Sequence, residues 1–130
     1  PGKPLMFGRL GDLPVLTLPG NPVSALVCSL LFLRPALRTL LGLAPAVPAF
    51  EKAVLGAAMP ENDRREDYVR ARLEHAGGRM PTAHPFPTQD SAMLMTLAKA
   101  DALIRRAAFA PSARAGEGVE IIRLDSTMGF

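Results

Sequence analysis

The stretch Leu18-Pro19-Gly20-Asn21-Pro22-Val23-Ser24 gathers the residue types that hold an anion at the start of a helix. Asn21 is a good N-cap, because its side-chain oxygen can accept from a backbone N–H of the first turn. Pro22 suits the first helical position, where its fixed φ helps and its missing N–H costs nothing. Val23, Ser24 and Ala25 would then offer unpaired N–H groups at the positive end of the helix, with the Ser24 hydroxyl beside them. Gly20, after Pro19, leaves room for a ligand to approach the backbone. A well-capped strand-to-helix connection with no ligand has the same spacing, and spacing alone leaves both readings open.

Other side chains could add to such chemistry. Lys3, in Pro-Gly-Lys-Pro, can bring a flexible ammonium to a phosphate or other oxyanion oxygen, although a lone lysine is usually solvated. Arg65, Arg70 and Arg72 cluster near a strand start. A guanidinium there can grip an oxyanion with two parallel hydrogen bonds, or belong to an exposed face of alternating charge. Ser91 can cap a short helix and can also touch a ligand. His75 and His84 lack partners at zinc-ligand spacing, and no G-x-S-x-G sequence marks a hydrolase nucleophile. Met59, Met93 and Met95 read as core filling.

The elements that must position these residues alternate in character. Leu5–Phe7 and Leu13–Leu18 read as strands around a Leu10-Gly11-Asp12 reversal, paired as a hairpin or set at the edge of a larger sheet. The helix after Asn21 is apolar on nearly all faces through Leu33, which predicts burial on more than one side. Pro35 should kink or end it, after which Ala36–Leu41 should continue with Arg38 outward, and Gly42 should cap it. The apolar run Ala25–Leu33 is too short to cross a bilayer, so a soluble protein with no membrane partner is expected. Residues 44–50, with Pro45 and Pro48, read as a linker. Beyond it come strands over 52–59, 67–75, 79–84, 102–104 and 119–124, a Gly77-Gly78 turn, and one short helix over 92–99. Val69, Ala71 and Leu73 should face one way, and Tyr68, Arg70, Arg72 and Glu74 the other.

The chain has 130 residues, 48% of them apolar, and a net charge of +3. That length can bury one core or two small ones. The charge excess sits in residues 1–50, where Lys3, Arg9, Arg34 and Arg38 face one acid, Asp12; residues 51–130 balance. A balanced second half argues against nucleic acid as a partner and leaves a small anionic ligand open. Cys28 is the only cysteine, which excludes an intrachain disulfide and suits a cytoplasmic setting.

PGKP at 1–4, FGRL at 7–10 and LPGNPVSA at 18–25 resemble the molybdopterin molybdenumtransferase family, the MoeA proteins and the matching domain of gephyrin. Asp67-Tyr68-Val69-Arg70 is similar to the family's Asp-aromatic-x-Arg pattern. Gln89-Asp90-Ser91-Ala92 is similar to its Gln-Gly-Ser or Gln-Ser-Ser segment, with Asp90 replacing a small residue. The chain begins in the middle of the family's pattern, so the resemblance implies a C-terminal piece.

The implied fold is α/β plus all-β. Residues 1–43 would close a three-layer, molybdopterin-binding-like α/β domain. Residues 51–130 would form a small β-barrel-like domain with one short helix. The implied activity is insertion of molybdate into adenylylated molybdopterin, with release of molybdenum cofactor and AMP. Lys3, Pro19, Gly20, Asn21, Pro22, Ser24, Arg70 and Ser91 would contact the anionic pterin substrate. The resemblance places the Mg²⁺-binding carboxylates upstream, so no catalytic residue or metal ligand is assigned here, and the piece alone should be inactive. It also implies a homodimer in which Arg70 and Ser91 serve the neighbouring subunit, with the molybdopterin adenylyltransferase as a further partner. The rival expectation is a non-catalytic dimerisation or partner-docking β module with a purely structural PGNP turn. A nucleic-acid-binding barrel is a second rival.

Overall fold

A computed structural model of the chain describes residues 5–44, 47–87 and 94–124. It divides into two compact units, the first made mainly of residues 1–48 and the second mainly of residues 49–89 and 95–129. In the first unit, β1 (Met6–Leu10) and β2 (Leu13–Thr17) pair antiparallel, with Leu10 opposite Leu13. Gly11 takes φ +59 at the first turn position, the conformation a two-residue II′ turn requires. The Thr17 hydroxyl accepts from the Met6 N–H at 3.0 Å and ties the open end. Met6, Phe7, Leu10 and Leu13 remain exposed, so the hairpin does not bury its own apolar side chains.

At Pro35 the helix takes the first of the two courses open to it, an irregular turn rather than an end. It does not stop at Arg34-Pro35: α1 (Pro22–Cys28) runs through a π-helical turn, Ser29–Leu33, into α2 (Arg34–Leu40). A proline ring collides with the carbonyl four residues before it and supplies no N–H. Widening the turn, so that the Arg34 N–H bonds to the Ser29 carbonyl, lets the chain absorb Pro35 without ending the helix. The continuous segment Pro22–Leu40 has 19 residues and, unlike Ala25–Leu33 alone, is by length and composition long and apolar enough to cross a bilayer. The same length and composition are met by core helices of soluble proteins.

Val23, Val27, Cys28 and Leu30 form the buried stripe, while Leu26, Phe32, Leu37 and Leu40 are exposed. Burial on more than one side is therefore not what this chain shows. Arg38 is also turned inward rather than outward, with Nη2 3.3 Å from the Ala44 carbonyl. Gly42 caps the helix as expected: at φ +69 its N–H reaches the Thr39 carbonyl, and the Leu43 N–H reaches that of Arg38. These two bonds satisfy carbonyls that the helix end leaves without partners.

The second unit is a closed five-stranded barrel. Its strands are β3 (Glu51–Leu55), β4 (Asp67–Glu74), β5 (Thr82–Pro85), β6 (Ala102–Arg106) and β7 (Gly118–Arg123), in the order β3-β5-β4-β6-β7. Only β3 and β5 run parallel, and β7 returns antiparallel onto β3 to complete the ring. Closure leaves no open strand edge. The interior is narrow because much of it is alanine: Ala53, Ala71, Ala83, Ala102 and Ala113 pack with Leu55, Val69, Ile104 and Ile121. Met59 lies against this cluster, while Met95 is exposed and is not core.

The expected 52–59 strand ends at Leu55; Met59 forms only a bridge to Ala113. The Gly77-Gly78 turn forms with Gly78 at φ +74, and the returning strand starts after Pro81 rather than through it. The short helix α3 (Leu94–Ala98) buries Leu97.

Candidate functional site

At the head of α1 the sequence builds the cap foreseen for it. The Asn21 side-chain oxygen accepts from the Val23 N–H at 3.1 Å and the Ser24 N–H at 3.3 Å. The Ala25 N–H donates to the Asn21 carbonyl at 2.8 Å. The expected unpaired amides are thus all occupied by Asn21 itself, which corrects the picture of three bare donors. What the turn still presents is the half-buried Ser24 hydroxyl, exposed Pro22, and an exposed Gly20 with open space where a Cβ would stand. Pro19 is buried beneath them. Lys3 and Ser91 lie outside the described residues. Cys28 is sealed one turn further on, and burial pushes its thiol pKa up, which keeps it protonated and unreactive.

In the barrel the three arginines take different fates. Arg65 and Arg72 are exposed, but Arg70 is buried, opposite Leu103, which is itself opposite Ile122. Leu103 and Ile122 are buried as well, so the barrel's outer face at this row is covered. Arg70 therefore does not belong to a solvated strand face of alternating charge.

Asp67 projects from the other side of β4, at a mouth of the barrel. There, a pocket of about 490 Å³ is lined by Met59, Pro60, Val69, Phe86, Asp67 and Arg106, among others. The buried Arg106 is held at its Nη2 by the Pro60 and Pro111 carbonyls, each at 2.8 Å. Asn62 fixes the adjoining loop, its amide donating to the Arg65 and Ala107 carbonyls at 2.8 Å and to that of Arg106 at 3.2 Å. Apolar walls with a few fixed polar groups are the usual make-up of a small-molecule pocket. Neither Arg106 nor Asn62 was singled out from sequence. Their signal was indirect, since both are polar residues beside apolar runs that a barrel closes into one mouth.

A second charged group decorates the outside. Arg105 bonds Glu66 at 2.8 Å and Glu120 at 3.1 Å, and sits 5.1 Å from the centroid of the Phe50 ring. Tyr68 donates its hydroxyl to Glu66 at 2.6 Å. Its pKa is pushed up to about 12, by burial first and then by the bond and charge of Glu66. Glu66 is held below the usual carboxylate range, chiefly by its hydrogen bond to Arg105. His84 pairs with Glu74 at 2.9 Å across a neighbouring strand pair. Among the described residues no three His, Cys, Asp or Glu side chains come together to hold a metal ion.

Comparison with known proteins follows both units. The MoeA C-terminal region (domain IV) matches residues 52–124. Molybdopterin molybdenumtransferase 2 of Mycobacterium tuberculosis is 38% identical over 104 residues, covering 80% of this chain and 25% of that protein. The molybdenum cofactor synthesis protein cinnamon of Drosophila melanogaster is 34% identical, over 96% of this chain and 22% of its own. A crystal structure of the molybdopterin biosynthesis MoeA protein from Pyrococcus horikosii superimposes with a TM-score of 0.75 at 27% identity, covering 95% of this chain and 29% of that one. The chain thus spans about a quarter of the length of these relatives. With the barrel matched as a unit and the hairpin and capped helix included in the longer alignments, the chain belongs to the MoeA family of molybdenum cofactor biosynthesis, of which it carries the C-terminal region.

Proposed function

We propose that this chain is the C-terminal part of a molybdopterin molybdenumtransferase, which inserts molybdate into adenylylated molybdopterin and releases AMP. The observation that carries this reading is an alignment running through both units, 96% of the chain, so the capped turn and the barrel occur together in a relative named for molybdenum cofactor synthesis. The substrates are polyanions, and they call for cations and hydroxyls held in place before they arrive. Arg70, Ser24 and the Gly20 backbone are the described groups suited to that task, with Lys3 and Ser91 assigned by resemblance. Among the described residues no three His, Cys, Asp or Glu side chains form a donor set for a divalent ion such as Mg²⁺. By this reading the chain alone is inactive, and the complete protein works as a cytoplasmic homodimer that receives its substrate from a molybdopterin adenylyltransferase.

The test is turnover of adenylylated molybdopterin with molybdate and Mg²⁺. The complete protein should release AMP and the 130-residue chain should not. Activity of the isolated chain would overturn the assignment of catalysis to the rest of the polypeptide. If Arg70 serves the neighbouring subunit, Arg70→Ala mixed with a partner inactivated elsewhere should recover part of the activity.

The occupied amides at Asn21 favour a second reading, in which the PGNP turn is structural and the barrel is a dimerisation or docking module. It predicts unchanged substrate affinity in Ser24→Ala. The binding reading predicts a loss of about tenfold, the usual scale for one hydrogen bond to a charged group.

A further inference from the structure

The mouth of the barrel holds two opposite charges that do not meet. Asp67 and Arg106 are directly opposite on β4 and β6, the arrangement that normally brings side chains into contact. Yet Arg106 forms no ion pair with a carboxylate among the described residues, because its Nη2 is drawn away to the Pro60 and Pro111 carbonyls. Asp67 engages one oxygen with the Tyr68 N–H at 2.9 Å, and its other oxygen has no partner among the described residues. Both side chains line the same cavity of about 490 Å³, and Arg106 is only 7% exposed. A buried cation held only by neutral carbonyls, across an apolar space from a half-buried anion, is an arrangement that a suitable ligand would stabilise.

The charges select the ligand's chemistry. A simple anion would meet Asp67 and the rim carboxylate Glu61, and a simple cation would meet Arg106. A neutral ring carrying adjacent N–H donors on one side and carbonyl or ring-nitrogen acceptors on the other satisfies both. Met59, Val69 and Phe86 offer walls for such a flat body, and the volume accommodates a fused bicycle. Building on the proposed function, we propose that this mouth is a pterin subsite. Asp67 takes the paired N–H groups of the aminopyrimidinone edge, and Arg106 donates to its oxygen side. The phosphate end of the molecule is left to other groups. Guanine shares that edge and adenine does not, which makes the two nucleosides informative competitors.

The experiment is a titration of the complete protein with free pterin, followed by the ring's own fluorescence, with guanosine and adenosine as competitors. Asp67→Asn keeps an oxygen for the Tyr68 N–H and so preserves the fold, which thermal unfolding checks. It should weaken pterin binding about tenfold or more, because the acceptor loses its charge. Arg106→Lys, which keeps the charge and loses the planar fork, should weaken it less, and Glu74→Gln, at a distant ion pair, should leave it unchanged. Unaltered pterin affinity in a folded Asp67→Asn protein, no pterin binding by the parent, or tighter binding of guanosine than of pterin would each overturn the proposal. The two readings fail separately. Molybdate insertion with a normal KM in Asp67→Asn would remove the subsite and leave the enzyme, whereas pterin binding without any molybdate insertion would do the reverse.

Discussion

Tyr68 and Gly56 show how much single positions decide here. Tyr68 is the only tyrosine, so its ultraviolet titration reports one site. Its folded-state pKa lies above the ordinary value of 10.0, at about 12. The stability it contributes is therefore complete below pH 10 and lost as pH rises through 12. Tyr68→Phe should flatten the alkaline limb of a stability–pH curve in that window. Ionisation of Tyr68 near 10 in the folded protein would show that neither the burial nor the Glu66 contact holds. At Gly56 the backbone runs so close to His84 that an added Cβ would lie 2.6 Å from its Cε1 and 2.9 Å from its Cγ. Gly56→Ala must push the imidazole off Glu74, and overpacking of this kind costs about 1–3 kcal/mol, readable by urea denaturation. The sequence showed the glycine and the histidine but not their encounter, because 28 positions separate them and only the parallel β3–β5 pairing brings them together.

At the level of elements, the strand alternation in 67–74 was legible where it faced the core and misleading where it faced out. Val69 and Ala71 point inward as the period of two requires. Arg70 has the right parity for solvent, yet the outer row it shares with Leu103 and Ile122 is covered. Periodicity fixes which side a residue faces and says nothing about what lies on that side. The proline in the helix makes the same point: residue type announced a kink or an end, and only the structure shows that a wider turn absorbs it. The alanine lining sets the radius of the barrel. Ala102→Leu should therefore overfill the interior, where Ala102 is 0% exposed, and destabilise by about 1–3 kcal/mol, measurable as a lower urea midpoint with an unchanged slope. An unchanged midpoint would mean that the interior has slack.

For the whole molecule, local chemistry written in consecutive residues was readable without coordinates. The Asn21 cap, the Gly42 stop, the Gly11 and Gly78 turns and the family motifs all depend on neighbours within a few positions, where steric and hydrogen-bonding rules act through the backbone itself. The sequence by itself determined that a capped helix is followed by a run of short strands, and to which family they are similar. Tertiary structure alone decided that Arg70 and Arg38 are buried, and that Asp67 and Arg106 share one cavity without forming an ion pair. Those outcomes arise from closure of a five-stranded ring and from competition among carbonyls and carboxylates for the same donors, and neither can be worked out until residues distant in sequence are adjacent in space.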